Sequence, residues 1–197
     1  MDYKQFRFYC QTGNLGMIRD FFQDISHEEK EQYLCNVLQT PLRSDVLEYL
    51  GTEITRLPPE KGTAILIELF YSEEAAARNL AVELFPVFGR TSLKVLQNHL
   101  NDMDPDVRLF VVQSLSGLPF KDEVNELLSK HLPIEKELNI IVAIIEALGD
   151  LGGGAAEAEA IRSVTDQLAH PYIEFVGQRA LRRLGDDQPV RAVEDQL

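Results

Sequence analysis

The stretch from Asp102 to Leu132 limits what this chain can fold into more than any other. It begins Asp-Met-Asp-Pro-Asp-Val-Arg-Leu-Phe-Val-Val-Gln-Ser-Leu-Ser-Gly-Leu. Asp104 is placed to cap a helix, Pro105 stands where a missing N–H costs nothing, and Asp106 puts negative charge in the first turn. Val107, Phe110, Val111, Leu115 and Leu118 follow at helical spacing, Pro119 breaks the run, and Val124, Leu127, Leu128 and Leu132 form a second. The unit is a short helix pair. One such pair cannot bury its apolar face alone, so copies of it are expected on either side.

The copies are present. A shift of 30 residues lays Arg78, Leu80, Ala81, Val82, Phe85 and Phe88 on Arg108, Phe110, Val111, Val112, Leu115 and Leu118. A shift of 33 lays Leu148 and Leu151 on Leu115 and Leu118, and another 33 brings Leu181 and Leu184 into the same places. Stepping back 31 from Phe85 and Phe88 reaches Ile54 and Leu57, with Tyr49 and Leu50 under Leu80 and Ala81. That makes five units, with Leu115 at a recurring position that should be fully buried between layers.

Asp-Pro-Asp-Val-Arg followed by an apolar helix, together with the Leu-Gly-Asp-Leu-Gly turn at Leu148 to Gly152, resembles the HEAT-like repeats, especially the short bacterial kind of phycobilisome lyase subunits. The resemblance covers about residues 43 to 197. It implies an all-α fold: an α-α superhelix, or HEAT-like solenoid, of about five helical-hairpin repeats. An N-terminal helical cap over residues 1–42 would be continuous with repeats 43–197 as one domain. Such repeats serve enzymes, chaperones and scaffolds alike, so they imply no particular activity. Only Arg78 and Arg108 hold the repeat arginine; Leu47, Ile141 and Glu174 take its place elsewhere, so no continuous arginine–aspartate ladder is expected.

Apolar residues make up 45% of the 197, enough for a stacked helical interior, while no apolar run approaches the roughly 20 residues of a membrane helix. The start, Met-Asp-Tyr-Lys-Gln-Phe, has no basic region followed by an apolar segment, and Cys10 and Cys35 lack metal-ligand spacing. A cytoplasmic protein with two small core thiols is the expectation. The 32 acidic residues against 19 basic ones give a net charge of −13, and no basic run exceeds Arg182-Arg183. Phosphate backbones need a basic face, so nucleic acid is not an expected partner, and anionic membranes are disfavoured for the same reason. The charge also weighs against a HEAT-like alkylpurine glycosylase, as does the absence of Trp as a stacking residue.

Along the chain, residues 2 to 24 read as a helical hairpin broken at Gly13-Asn14, and Ser26-His27-Glu28-Glu29 as a capping box. Seven of the sixteen aromatics fall within the first 33 residues, more than a two-helix stripe needs. Two readings stand: a cap that seals the open end of the stack, or a docking patch. Pro58-Pro59 ends a helix begun at Ser44 or Asp45, Ser72-Glu73-Glu74 caps the next, and Pro86 predicts a kink or early stop. Leu138 to Leu151 is apolar nearly all round and should be a central helix, followed by a Gly152-Gly153-Gly154 connector and an Ala-rich helix over 155 to 169. Those glycines lack the strand and Lys-Ser/Thr of a phosphate cradle.

Chemistry is thin. His27, His99, His131 and His170 are scattered, and His27-Glu28, inside the capping box, is the chain's one His-Glu pair, where HEAT-like diiron hydroxylases repeat such pairs. No Gly-x-Ser-x-Gly elbow occurs, and Asp122-Glu123 and Asp186-Asp187 are expected at helix starts. No catalytic residue, metal site or cofactor is therefore expected. A solenoid lays its second helices side by side as a groove suited to an extended peptide or helix. Its non-core positions include Lys94, Asn98, Asn101, Asn125, Glu126 and Lys130, expected to meet a basic or extended segment of another protein. Two functions remain: a non-catalytic interaction scaffold or regulatory adaptor, and a helper subunit resembling the bilin lyases that acts on a chromophore-bearing apoprotein. Arg179, Arg182 and Arg183 should form a local basic spot away from the binding face.

Overall fold

In the computed structural model, which describes residues 2–186 and 188, the described chain is all-helical: twelve α-helices and two 3-10 turns, with no strand among the described residues. It forms two compact units, Met1–Val95 and Leu96–Leu197. The boundary falls within α7, Arg90–His99. No helix among the described residues is long and apolar enough to cross a membrane.

The first unit holds α1 (Tyr3–Thr12), α2 (Leu15–Gln23), α3 (His27–Val37), α4 (Ser44–Thr55), α5 (Pro59–Phe70) and α6 (Ala75–Leu84). Local chemistry sets its helix ends. Asp2 accepts the Gln5 N–H at 2.8 Å, and Ser26 and Glu29 form the expected capping box, which holds the Glu29 carboxyl below its usual range through the Ser26 backbone and hydroxyl donors. At Gly13 a φ of 76° lets the chain turn from α1 into α2, a conformation that costs a side chain-bearing residue energy. Of the seven early aromatics, Phe6, Phe21 and Phe22 are buried, Tyr3, Tyr9 and Tyr33 half-buried and Phe8 exposed; the Phe6 ring centroid lies 5.2 Å from those of Phe21 and Phe22 and 5.1 Å from that of Tyr33. Pro59 becomes the first residue of α5, where its missing N–H is harmless.

One expectation in this unit needs adjustment and another is met. Ser72 does not cap α6, which starts three residues later; it is buried and its Oγ accepts the Glu74 N–H at 3.2 Å. Pro86 produces an early stop: α6 ends at Leu84 and a 3-10 turn covers Phe85–Phe88. That turn lays the Phe88 ring on Gly62 of α5, where a Cβ would fall 2.2 Å from the ring.

The second unit holds α8 (Pro105–Ser116), α9 (Lys121–His131), α10 (Leu138–Leu151), α11 (Ala155–Leu168) and α12 (Pro171–Arg183). Asp104 caps α8, accepting the Asp106 N–H at 2.9 Å. α10 packs against α8 and α12, and α11 packs against α9 and α12. Ion pairs Arg179–Glu146 and Arg183–Asp150, each spanning 33 residues, show that α10 and α12 run parallel in register. Gly149 permits their close approach, since a Cβ there would come within 2.9 Å of the Ala180 Cβ. α10 lies between its neighbours as expected, with Ile140, Ile141, Ile144, Ile145 and Leu148 buried. It is not apolar-buried all round, because Leu138 is exposed and Val142 half-buried. The recurring position is fully buried at Phe85, Leu115, Leu148 and Leu181 alike. Asp186 is not at a helix start; it follows α12 and accepts from Arg162, while Asp187 lies outside the described residues.

Candidate functional site

The six residues expected on the partner face do not share one environment. Lys94 and Asn98 are exposed on α7, the first within the Met1–Val95 unit and the second within the other. Glu126 and Lys130 are exposed on α9 and pair with each other at 2.5 Å, one helical turn apart, and Lys130 holds the Glu126 carboxyl below its usual range. Asn101 is exposed beyond the C-terminal end of α7, at the rim of a shallow depression of about 260 Å³ lined also by Asp102, Arg108, Ile134 and Glu135.

Asn125 departs from the expectation: it is 4% exposed and does not face a partner. Its neighbours Val124 and Leu128 put that side of α9 into the core, and its Nδ2 donates to the Gly152 carbonyl. The glycine connector is therefore pinned at that carbonyl rather than loose, and the Glu157 carboxylate accepts the Gly154 N–H at 2.7 Å. The basic spot on α12 is likewise reduced, because Arg179 and Arg183 are paired with Glu146 and Asp150. Arg182 remains exposed.

Two buried carboxylates are the strongest electrostatic features, one in each unit. In the second, the Glu135 side chain is 2% exposed and receives both Nε and Nη2 of Arg108 at 2.9 Å, with His131 Nε2 3.2 Å away. Burial alone would raise its pKa. The Arg108 fork, the N–H groups of Glu137 and Lys136, and His131 overcome that effect and hold Glu135 at about 2. Arg108 also donates to the Asp102 carbonyl at 2.8 Å, as Arg78 does to the Ser72 carbonyl at 2.5 Å, each six residues upstream. Each of these arginines thus clamps the turn that enters its own helix.

In the first unit Glu53, also 2% exposed, accepts from Lys30 at 3.0 Å and from Arg56. Both line a cavity of about 670 Å³ with Arg19, Phe22, His27 and Tyr49. Phe22 and Tyr49 stack at 6.4 Å, and Lys30 lies 5.4 Å from the Phe22 ring centroid. Burial first, and then the Glu53 charge, push the Tyr49 phenol up to about 12. The buried carboxylate explains why Lys30 and Arg56 are drawn to this wall.

Sequence reasoning did not single out Glu53 or Glu135, because Lys30 and Arg108, the cations that meet them from another helix, lie 23 and 27 residues away and leave no local signal. Of the histidines, His131 is buried on Glu135, while His170 accepts the Tyr172 N–H at the start of α12. Burial pushes the Cys10 thiol up to about 12, as befits a core thiol. No cluster of three or more His, Cys, Asp or Glu with metal-binding geometry occurs among the described residues.

No family model matches the chain and no curated protein matches it. A crystal structure of an engineered protein aligns over 84% of this chain and 94% of that one, at 14% identity and a TM-score of 0.47.

Proposed function

We propose that the chain is a non-catalytic adaptor, a HEAT-like solenoid of about five hairpin repeats behind an N-terminal cap, that holds a partner protein on the face of its second helices in the cytoplasm. The observation that carries this reading is that α10 packs on α8 and in register with α12, while Glu126 and Lys130 of the neighbouring α9 stay exposed. The second unit carries 18 acidic residues against 9 basic ones, compared with 14 against 10 in the first. A basic partner segment is drawn to such a surface by long-range attraction, which raises the association rate more than the final affinity.

The test starts with affinity capture of the partner from the native host, followed by association rates against ionic strength. Glu126→Lys should slow association several-fold and flatten its salt dependence, while Arg182→Glu should leave both nearly unchanged. Equal slopes for wild type and Glu126→Lys, or a collapse with Arg182→Glu, would move the contact to the C-terminal end and defeat the assignment.

A further inference from the structure

The second unit exposes large apolar side chains along one edge, and they recur at the period of the fold. Met103 is 97% exposed, Ile134 62% and Leu168 40%, with sequence steps of 31 and 34 residues between them. Each stands shortly before the start of one of the stacked helices: Met103 in the loop before α8, Ile134 at the end of the 3-10 turn before α10, and Leu168 as the last residue of α11, three residues before α12. Leu138 and Tyr172, both exposed, broaden the second and third rungs. Because α10 and α12 run parallel, and Arg108 at the start of α8 bonds to Glu135 just before α10, these rungs lie at the same end of the three helices. α11 also packs on Leu132–Ile134. A single exposed Leu needs no explanation, but a repeated series along one edge does.

The same edge is acidic. Asp104, Asp106, Glu137 and Glu174 stand at these helix starts; of the nearby cations, Arg108 is paired with Glu135, and Lys136 stands beside Glu137. The helix dipole accounts for the acids but not for the apolar rungs beside them.

We propose that this edge docks a basic amphipathic α-helix of a partner protein. Packed helix axes lie about 8–10 Å apart, so the rungs repeat at about that distance. On an α-helix, residues i, i+7 and i+14 fall on one stripe at steps of about 10.5 Å. A partner helix laid across the three helix ends meets every rung with one apolar stripe, and Lys or Arg beside that stripe faces the carboxylates. A β-strand would need about three residues per step, which turns alternate contacts to the opposite face. Nucleic acid and anionic lipid are repelled by the same carboxylates. The proposal shares with the adaptor reading only that the ligand is a protein, and it uses a different surface from Glu126 and Lys130.

The experiment uses a fluorescein-labelled peptide of about 18 residues, with leucines at i, i+7 and i+14 and at intervening i+3 or i+4 places, and Lys and Arg elsewhere. A scrambled peptide of equal composition is the control. Anisotropy and circular dichroism titrations with the full chain should show binding with a gain of peptide helicity, and the scrambled peptide should bind at least about tenfold more weakly. The double variant Ile134→Ser/Tyr172→Ser should weaken binding about tenfold while keeping the wild-type thermal melt, since both side chains are exposed. Glu126→Lys should leave peptide binding within about twofold, so that failure of the edge and failure of the second-helix face are told apart. Equal binding of the scrambled peptide, no effect of the double variant, or binding without helicity would overturn the proposal. So would a dimer in sedimentation that the double variant abolishes, because the edge would then belong to a second copy.

Discussion

Phe6 and Leu115 are both fully buried, but in different company. Phe6 sits among the rings of Phe21, Phe22 and Tyr33 in the first unit, where 12 of the chain's 16 aromatics lie. Leu115 sits in an aliphatic layer with Val107, Val111 and Val112 buried on the same helix, and none of the four aromatics in the second unit is buried. In the second unit the recurring place holds one aliphatic volume, at Leu115, Leu148 and Leu181, where the first unit has Phe85. An irregular helix cluster has unequal gaps, and large rings with favourable edge contacts fill them.

The largest test of this contrast is a pair of truncations. Phe6→Ala should cost about 3–5 kcal/mol and Leu115→Ala about 2–5 kcal/mol in denaturant unfolding. Hydrogen exchange should rise mainly in α1 to α3 for the first variant and mainly in α8 and α10 for the second. Equal acceleration in both units would break the comparison. A loss below about 0.5 kcal/mol for Leu115→Ala would show that the repeated position is not a packing position.

Acid should act most strongly through Glu135. Its folded pKa of about 2 lies below the ordinary 4.5, so its ionised form stabilises the fold above about pH 4.5. That stabilisation, up to about 3 kcal/mol, is lost as pH falls from 4.5 towards 2. Glu135→Gln should therefore flatten the acid limb of the stability curve and lower stability at neutral pH, where Arg108 loses its partner charge. An acid limb of unchanged slope would show that the Arg108 clamp is not an ionic one.

The smallest effect belongs to the exposed pairs that mark the register of α10 and α12. Arg183→Ala should cost no more than about 1 kcal/mol, and less in 1 M salt. A larger loss, insensitive to salt, would mean that these pairs hold the stack rather than report on it.

Much of the local structure was legible because its causes are local. Asp104, Ser26 and Gly13 act within a turn of their own position, and each ends or starts a helix where its chemistry indicates. The face of α9 was less legible. Asn125 looks outward by residue type, yet one bond to a carbonyl 27 residues away places it in the interior. The apolar rungs escaped notice for the opposite reason: Met103, Ile134 and Leu168 look like core residues in a sequence, and their exposure shows up only once the helix ends are set side by side.

The sequence by itself determined the helical class, many of the helix boundaries near caps and prolines though not those expected at Ser72 and Asp186, and the recurring core position at Phe85, Leu115, Leu148 and Leu181. Periodicity and capping are properties of neighbouring residues, so they can be read without a fold. Only the tertiary structure decided which charges are buried and paired, as with Glu53 and Glu135, and which apolar side chains are left to solvent. Both depend on what other helices bring within a few ångströms, and partners 23 to 33 residues away leave no mark on the local pattern.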